Sequence, residues 1–399
     1  MELRDAMPAL KNKCYFNYGG QGPLPIDSMK AIYSSWEKIQ QLGPFTNDIW
    51  PYISKELNST KNLISQICNV NPSQVALTEN VTSGCILPLW GLNLKKDERI
   101  LIGDCEHPGV VAACKELAYR NQLEIDIFPV KKYRQGLNDQ KNKDKLIIES
   151  LVDHLKENTK LVVISHVLWN TGQIIPIKQI AIKLSEHPLK PFLLVDAAQS
   201  FGQIPIEEAA NFSDIYALTG HKWACGPEGL GALILSQRVL TNSRPTIVGW
   251  KSLKKEGPID LQSLNDYHTD ARKYEIATSC VPLLSGLRNS LSLLLKESNC
   301  YKRISKIREL SKYLWVKLSE FDEIETVLEG PPPCGLVSFS LRKTESHQLL
   351  VKKLGEKKIW LRVLEDPSWL RACVHITSNK QELDQMNKEL NNILSSEFI

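Results

Sequence analysis

The 399-residue sequence lacks a long apolar run, since no stretch approaches the roughly 18 apolar residues of a membrane-spanning helix. The first residues alternate acidic and basic side chains without an apolar core, so we expect no signal peptide. A strong charge of one sign is also missing, because the net charge is only +4. This balance argues against a nucleic-acid partner or a membrane surface. The hydrophobic share of 42% and the charged share of 24% exclude a disordered or fibrous chain.

The ten cysteines and eight histidines lack the spacings of a metal site. No two cysteines form a C-x-x-C pair, and none stands near a histidine at zinc-binding spacing. We therefore expect no bound metal, and we expect reduced, mostly buried cysteines, as in a cytoplasmic protein. Internal repeats and low-complexity segments do not stand out either. The length predicts two or three domains.

The middle of the chain contains short apolar runs separated by turns and helical stretches. The runs are 75–78, 99–103, 124–130, 161–167, 192–195, 215–218 and 230–235. Most are continuous rather than alternating, which is typical of strands that are covered on both faces. We therefore predict an α/β fold with about seven strands in a mostly parallel sheet and helices on both faces. The basic segment 131–145 is interpreted as a solvated loop.

The pattern changes after residue 280. Apolar residues at helical spacing predict an amphipathic helix, namely Ile304, Ile307, Leu310, Leu314 and Leu318. Three prolines at 331–333 precede an alternating, half-exposed antiparallel strand around Phe339, with neighbours at 360–364 and 372–377. Ser378 and Gln381 have capping-box spacing before a last helix. Its apolar stripe is Leu383, Met386, Leu390 and Ile393. We predict a smaller α+β domain over 281–399, a large domain over 23–280 and an N-terminal segment, 1–22, that packs near the active site.

Three segments contain residues that could carry chemistry. Asp196 ends an apolar run, where an acid faces the ligand crevice of an α/β sheet or caps a helix. Lys222 lies in a glycine-rich turn after the next run; it is either a surface lysine or a buried one whose lowered pKa favours Schiff-base chemistry. The segment 79–84 follows a predicted strand and contains hydroxyl side chains. Such side chains at the start of a helix either bind a phosphate group or cap the helix.

Together these segments contain the parts of a pyridoxal phosphate (PLP) site. Such a site needs a lysine that binds the cofactor covalently, an acid that keeps the ring nitrogen protonated, and a phosphate cradle. The combination therefore predicts PLP as the cofactor.

Two motifs, DAAQ at 196–199 and GHKW at 220–223, resemble the class V aminotransferase family of fold-type I PLP enzymes. The resemblance covers nearly the whole chain. Within the family, the sequence is most similar to the cyanobacterial cysteine/cystine C–S lyases. The shared segments are YFNYGGQG at 15–22, CEHPG at 105–109, LWNTGQ at 168–173, EIATS at 275–279 and LRAC at 370–373.

The resemblance implies a role for each matching residue. Lys222 holds the cofactor and acts in catalysis, Asp196 pairs with the ring nitrogen, and Gln199 pairs with the phenolic oxygen. His107 stacks on the ring. The phosphate ligands are Thr82, Ser83, Thr219, His221 and, from a neighbouring subunit, Thr278; this implies a homodimer with shared active sites. The residues that bind the substrate are Arg371, Arg362, Asn170 and Trp250.

The sequence departs from the cysteine desulfurases of this family at two places. These enzymes carry an asparagine near the cofactor, where ungapped counting places Trp169 and puts Asn170 one residue late. They also carry a nucleophilic cysteine before the carboxylate-binding arginine, whereas 361–370 contains none. Cys334 and Cys373 are interpreted as packing residues.

The resemblance thus implies a C–S β-lyase that converts cystine or cysteine to pyruvate, ammonia and cysteine persulfide or sulfide. The released sulfur would supply an acceptor protein or iron–sulfur clusters. One alternative is a cysteine desulfurase, which forms alanine and an enzyme persulfide. Another is a non-catalytic PLP-binding scaffold for sulfur transfer. Epimerases and kynureninase-like hydrolases also belong to the family.

Overall fold

The strands follow the apolar runs of the sequence. The computed structural model describes residues 3–255, 267–342 and 346–395. The strands in this part are β1 (Cys14–Tyr15), β2 (Val75–Thr78), β3 (Arg99–Gly103), β4 (Glu124–Phe128), β5 (Thr159–Ser165), β6 (Phe192–Asp196), β7 (Ile215–Thr219), β8 (Gly231–Leu235), β9 (Ile324–Thr326), β10 (Leu336–Leu341), β11 (Ile359–Trp360), β12 (Arg362–Glu365) and β13 (Ser368–Cys373). Each of the seven predicted runs overlaps one of the strands β2 to β8.

Helices alternate with the central strands and continue into the C-terminal region. They are α1 (Ile26–Leu42), α2 (Ile49–Cys68), α3 (Val81–Gly91), α4 (Pro108–Asn121), α5 (Gln140–His154), α6 (Ile177–Glu186), α7 (Glu207–Phe212), α8 (Gln237–Asn242), α9 (Val281–Glu297), α10 (Cys300–Ser319), α11 (His347–Glu356) and α12 (Lys380–Leu394). Short 3-10 helices cover Pro8–Leu10, Pro72–Gln74, Leu137–Asp139, Trp250–Ser252 and Ala271–Tyr274. None of the described helices combines the length and the apolar character that crossing a bilayer requires.

The main sheet has seven strands in the order β2-β8-β7-β6-β5-β3-β4. Strand β8 runs antiparallel to both of its neighbours, and the other pairs are parallel. The predicted mostly parallel sheet is therefore confirmed. Strands β2, β3, β5, β6 and β7 all point in one direction, so their carboxyl ends meet at one edge of the sheet.

Both faces of the main sheet are covered by apolar side chains, as the continuous runs predicted. Alternate residues of one strand enter different clusters: Val162 packs into a core with α5, α6 and α9, whereas Val163 packs into a core with α3 and α4. Successive side chains of a strand point to opposite faces, which explains the division. The predicted two-sided cover of helices is confirmed.

The second sheet is antiparallel and has the order β12-β13-β10-β9. Here the prediction of a half-exposed strand around Phe339 was wrong, because β10 is buried on both faces. Its polar residue Ser338 is buried and donates a hydrogen bond of 2.6 Å to the carbonyl oxygen of Asn170. The predicted neighbouring strand at 360–364 is two separate strands: Trp360 belongs to β11, which pairs with β1, and β12 begins at Arg362. The strand expected at 372–377 lies earlier, at Ser368–Cys373.

Two local predictions also need correction. The last helix is capped by Asn379 with Glu382, one residue later than the predicted Ser378 and Gln381. The segment 131–145 is not wholly a solvated loop, because α5 begins at Gln140. Within α5, the Lys143 side chain is fully buried and its Nζ donates to the carbonyl oxygen of Ile174 at 2.8 Å. Burial lowers the pKa of Lys143 to about 8. The predicted helix around Ile307 and the last apolar stripe are confirmed.

Candidate active site

The candidate site lies at the sheet edge where the parallel strands end. The end of β6 carries Asp196 to this edge, and the loops after β3, β5 and β7 carry His107, Trp169 and Lys222. Ligands of open α/β sheets bind outside the carboxyl ends of the strands. The site is therefore in the place that the sheet topology favours.

Asp196 is the last residue of β6 and is buried. Its Oδ1 accepts a hydrogen bond of 2.8 Å from the N–H of Ala198, so the carboxylate is held by the turn that follows the strand. Burial raises the pKa of Asp196, and the nearby charge of Lys222 opposes this effect. A buried carboxyl group of this kind gains from a cationic partner, such as a protonated ring nitrogen.

Lys222 follows β7 in a tight loop and is partly buried. Burial lowers the pKa of its ammonium group to about 8, while the Asp196 carboxylate acts in the opposite direction. A lysine with such a pKa has an accessible neutral amine near neutral pH, which covalent attachment to a carbonyl carbon requires. The loop is itself held by the N-terminal segment, since the N–H of Gly22 donates to the carbonyl oxygen of His221 at 2.8 Å.

The start of α3 provides backbone N–H groups next to hydroxyl side chains. Asn80 caps this helix, and its Oδ1 accepts from the N–H of Ser83 at 2.9 Å. The cap uses the Ser83 N–H, so the helix N-terminus offers an anion mainly the N–H groups of Val81 and Thr82. A cavity of about 400 Å3 adjoins this turn; Thr82, Ser83, Ile247 and Ile276 are among its lining residues.

Thr219 and His221 form a pair at the end of β7. The Thr219 hydroxyl and His221 Nδ1 lie 2.8 Å apart, within hydrogen-bonding distance. Burial lowers the pKa of His221, and the charge of Lys222 adds to this effect. The histidine is therefore predominantly neutral at neutral pH, and it would bind an anion through an N–H group rather than through a charge.

His107 caps α4 and faces the same edge. Its Nδ1 accepts from the N–H of Gly109 at 3.2 Å, and its ring lies edge-on to Trp169 with a centroid distance of 5.7 Å. Burial lowers the pKa of His107, and the charges of Asp196, Lys222, Arg362 and Arg371 also act on it. The structure therefore brings together five of the residues that the sequence singled out.

Arg371 is a buried arginine without a carboxylate partner in the part of the chain that the structure describes. Its side chain is only 2% exposed, and Nη1 donates to the carbonyl oxygen of Trp169 at 2.7 Å. The Nε atom has no hydrogen-bond partner among the described residues. Burial lowers the pKa of Arg371. A buried guanidinium with free donors is suited to a carboxylate, which it can bind bidentately.

Arg362 lies directly opposite Arg371 in the β12–β13 pair, so both side chains project from the same face of the small sheet. Arg362 is exposed, whereas Arg371 is buried. The two arginines thus form an outer and an inner position for an anionic group.

The surroundings of Arg371 were not predicted from the sequence. Gly19 packs so closely on Arg371 that a Cβ atom there would lie 2.8 Å from Nη2 and 2.9 Å from the Cys373 sulfur. The Cys373 side chain also acts on the pKa of Arg371, opposing the effect of burial. Trp169 supplies the carbonyl that anchors Arg371. No motif marks these contacts, since they depend on how three distant segments fold together.

Gln199 is held in place by protein groups at both ends of its amide. Its Nε2 donates to the carbonyl oxygen of Gly19 at 2.9 Å, and its Oε1 accepts from the indole N–H of Trp223 at 2.8 Å. One N–H of the amide remains for another acceptor. A pairing of Gln199 with a phenolic oxygen stays a prediction.

Asn170, Trp250 and Thr278 are the remaining residues to which the sequence assigned a role. Asn170 is buried, its amide contacts Cys105, and its Oδ1 has no partner among the described residues. Trp169, rather than Asn170, contacts both His107 and Arg371. Trp250 is 41% exposed and Thr278 is exposed. Their roles in binding the substrate and a partner's phosphate remain predictions.

The sequence matches the aminotransferase class-V family over residues 31–386. The chain belongs to this family. It is 22% identical over 98% of its length to a probable cysteine desulfurase of Methanothermobacter thermautotrophicus, which it covers to 97%. It is 26% identical to a cysteine desulfurase of Haloferax volcanii, over 78% of this chain and 72% of that protein.

Solved structures with the same fold include two of the enzyme C-DES. The complex of the cystine C–S lyase C-DES with its product cysteine persulfide is 34% identical, covers 96% of this chain and 98% of that chain, and has a TM-score of 0.89. A C-DES variant with glycine covalently linked to its PLP cofactor is 33% identical, with a TM-score of 0.90 over 97% of this chain and 98% of that chain. The family and the fold-type I architecture that the motifs predicted are confirmed.

PLP is the cofactor of this family, and the chemistry of the site fits it. The buried carboxyl of Asp196 needs a cationic partner, and Lys222 has a pKa near 8. The free N–H groups at the start of α3 suit a phosphate. Lys222 would therefore hold the cofactor covalently, Asp196 its ring nitrogen and the α3 turn its phosphate. In this position PLP supplies an electron sink for the α-carbon of a bound amino acid.

Proposed function

We propose that the protein is a PLP-dependent β-lyase that cleaves the Cβ–S bond of L-cystine. One cystine and one water yield pyruvate, ammonia and cysteine persulfide. Atoms balance without an oxidant or reductant, because the bonding electrons leave with the sulfur atom. The persulfide would then supply sulfur to an acceptor protein, for instance in iron–sulfur cluster assembly.

The similarity to C-DES supports this proposal over most of the chain. At 33–34% identity, C-DES is more similar to this chain than the desulfurases from Methanothermobacter and Haloferax, at 22% and 26%. The segment that carries Arg371 is also one of those that the sequence shares with C–S lyases.

Three side chains have separate roles in the proposed reaction. Arg371 has free donors in a buried position, so it binds and orients the α-carboxylate of the substrate. Lys222, with its lowered pKa, removes the proton from the α-carbon. Asp196 keeps a proton on the nitrogen of the cofactor ring through its buried carboxylate. The substrate sulfur then departs from Cβ with the bonding electron pair.

The observation that carries the proposal is the lack of an accessible thiol near Arg371 among the residues that the structure describes. The segment from β12 to β13 contains only Cys373, which is fully buried, and Cys334 is fully buried as well. Burial raises the pKa of Cys334 to about 12, and its thiol donates to the carbonyl oxygen of Gly172. A desulfurase needs a mobile thiolate that accepts sulfur and then hands it to another molecule. Neither thiol meets that requirement.

The more accessible thiols lie elsewhere in the fold. Cys280 precedes α9, and Cys300 is the first residue of α10, where its thiol faces the Glu207 carboxylate at 3.6 Å. This contact raises the pKa of Cys300 further beyond the effect of its burial. Raised pKa values oppose thiolate formation, so Cys300 is a poor nucleophile.

The proposal is tested with the variants Cys334→Ser and Cys373→Ser, loaded with PLP and supplied with saturating cystine. Both should form pyruvate at close to the wild-type rate per cofactor-loaded molecule, since no enzyme thiol takes part. A hydroxyl left unsatisfied in the core could cost about 1–3 kcal/mol of stability, which thermal unfolding would register separately. A folded, yellow variant without turnover would identify that thiol as a nucleophile and favour the desulfurase.

A further inference from the structure

A buried histidine of the C-terminal region contacts the loop of Lys222. His375 is fully buried, and its Nε2 lies 3.1 Å from the carbonyl oxygen of Trp223, the residue that follows Lys222. The segment of His375 continues directly from β13, which carries Arg371. One short stretch of chain therefore carries the arginine that suits the substrate carboxylate and also contacts the loop of the lysine that suits the cofactor.

The two ring nitrogens of His375 have different hydrogen-bonding roles. A carbonyl oxygen can only accept, so Nε2 carries the proton and donates to Trp223. Burial lowers the pKa of His375 to about 3, so the ring is neutral and Nδ1 is an acceptor. Thr377 provides two donors for Nδ1, its hydroxyl at 2.9 Å and its N–H at 3.4 Å. The contacts on both sides of the ring therefore require the same tautomer.

Tyr18 supports the histidine from the N-terminal segment. Its hydroxyl and that of Thr377 lie 2.7 Å apart. Because the Thr377 hydroxyl donates its proton to His375, it accepts from Tyr18 at this contact. The Tyr18 ring also stacks on the imidazole, with a centroid distance of 4.2 Å and an angle of 12° between the ring planes. A buried chain of hydrogen bonds thus runs from Tyr18 through Thr377 and His375 to the carbonyl oxygen of Trp223.

The carbonyl group of Trp223 depends on this imidazole for a short hydrogen bond. The thiol of Cys225 also lies near the same oxygen, but at 3.9 Å. The preceding carbonyl, that of His221, is bound by the N–H of Gly22 at 2.8 Å. The backbone is thus held on both sides of Lys222. Without the imidazole N–H, the buried carbonyl of Trp223 would lose its short hydrogen bond, which favours a shift of the loop toward another donor.

From this geometry we propose that His375 is a positioning residue, which fixes the loop of Lys222 relative to Arg371 through its hydrogen bond to the carbonyl oxygen of Trp223. It acts through the loop and takes no part in proton transfer. The inference rests on Lys222 as the residue that binds PLP, as in the proposed function, but it does not depend on which sulfur compound is the substrate.

The test exchanges His375 for two amides that differ by one methylene group. In His375→Gln the amide nitrogen reaches the position of Nε2, so it can still donate to the carbonyl oxygen of Trp223. In His375→Asn the amide ends near the position of Nδ1, so it can contact Thr377 but not Trp223. The matched control is His347→Asn, because this histidine of the C-terminal region is also buried but contacts other elements, namely Leu341 and Ser368.

The readout is the pH dependence of the rate at which PLP attaches to the cofactor-free protein, which reports on the surroundings of Lys222 and needs no substrate. Burial lowers the pKa of Lys222 to about 8, and the charges of Asp196, Arg371 and Arg362 also act on it. A loop released from His375 exposes the lysine to water. The midpoint of the pH profile should then move toward the ordinary lysine value of 10.5.

We expect the midpoint to rise by about one pH unit in His375→Asn. It should stay near 8 in His375→Gln and in His347→Asn. Thermal unfolding is measured in parallel, because a merely structural role would lower the unfolding temperature of His375→Asn without moving the midpoint. An unchanged midpoint in folded His375→Asn would overturn the proposal.

A second variant applies if His375→Asn does not fold. Thr377→Val removes the hydroxyl that holds the imidazole at Nδ1 and keeps the shape of the side chain. It should raise the midpoint in the same direction by a smaller amount, and an unchanged midpoint would overturn the proposal. The expected profiles in a protein that does not cleave cystine would overturn the proposed function alone.

Discussion

At the scale of single residues, burial moves the pKa of Lys222 down and the pKa of Asp196 up. Both shifts have the same cause, since a medium of low polarity disfavours the charged form of either group. The two shifts have different consequences. The lysine becomes a better nucleophile and base, and the carboxylate of the acid is stabilised by a cation beside it. Arg371, by contrast, cannot lose its proton, so its burial leaves it in need of an anion.

The lowered pKa of Lys222 predicts how PLP attaches to the cofactor-free protein. Only a neutral amine can attack the aldehyde, so the rate should rise with pH and level off above about 8, instead of continuing toward the ordinary lysine value of 10.5. Absorbance changes after mixing the protein with PLP at a series of pH values would measure this. Borohydride should then fix the cofactor on Lys222. A label on another lysine would contradict the assignment.

At the scale of elements, the site depends on the N-terminal segment, which crosses between the two sheets. The carbonyl oxygen of Gly19 accepts from Gln199, the N–H of Gly22 donates to His221, and β1 pairs with β11 of the C-terminal region. This segment therefore joins the loop of Lys222 to the neighbourhood of Arg371. Its glycines are required by the close approach of these groups rather than by turn geometry.

The substitution Gly19→Ala tests this contact. The new methyl group would meet the guanidinium of Arg371 at 2.8 Å and the sulfur of Cys373 at 2.9 Å, and both side chains are buried. Displacing Arg371 by a fraction of an ångström should raise KM for cystine by about 10-fold or more. Steady-state kinetics would measure the change, with Gly355→Ala on helix α11 as a control, because a Cβ atom there would meet the ring of Trp360 rather than Arg371. An unchanged KM would show that Arg371 is not held from this side.

The sequence predicted the elements better than their contacts. The continuous apolar runs located β2 to β8 because strands covered on both faces cannot alternate. The same rule failed for β10, where Ser338 is buried because its hydroxyl has a partner, the carbonyl of Asn170. Ser378 and Asn379 are both capping residues followed by a Gln or Glu at the required distance, so spacing alone could not choose between them.

Local sequence patterns likewise predicted some residues of the site but not the contacts between them. Asp196, Lys222 and His107 stand in local motifs that reflect the ends of strands. The contacts of Arg371 with Gly19 and Trp169 join segments hundreds of residues apart, and no local pattern contains that information.

At the scale of the whole molecule, a single chain leaves several residues near the α3 turn exposed. Ile247, Val248 and Trp250 are each between 41% and 43% exposed, and Thr278 is exposed as well. Apolar surface of this kind is typical of an interaction site. These residues are expected to lie in a homodimer interface, as the family resemblance implies.

This expectation gives a prediction about assembly. Thr278→Ala should weaken the retention of PLP, because Thr278 is predicted to bind the phosphate of the partner subunit. Dialysis followed by absorbance measurement would quantify the loss, and Thr241→Ala, on the exposed end of α8, serves as the control. Sedimentation of the active holoenzyme should show a dimer. A fully active monomer at assay concentration would contradict the prediction.

The central claim is that C–S cleavage here needs no enzyme thiol, and the ratio of pyruvate to alanine formed from L-cystine tests it most directly. A lyase loses the sulfur as persulfide and leaves a three-carbon fragment that water converts to pyruvate and ammonia. A desulfurase transfers sulfur to its own cysteine and releases alanine. We predict one pyruvate for each cystine consumed, with no alanine above background, in the wild-type protein and in the Cys334→Ser/Cys373→Ser double variant. Alanine as the main product, together with a persulfide on an enzyme cysteine, would contradict this account.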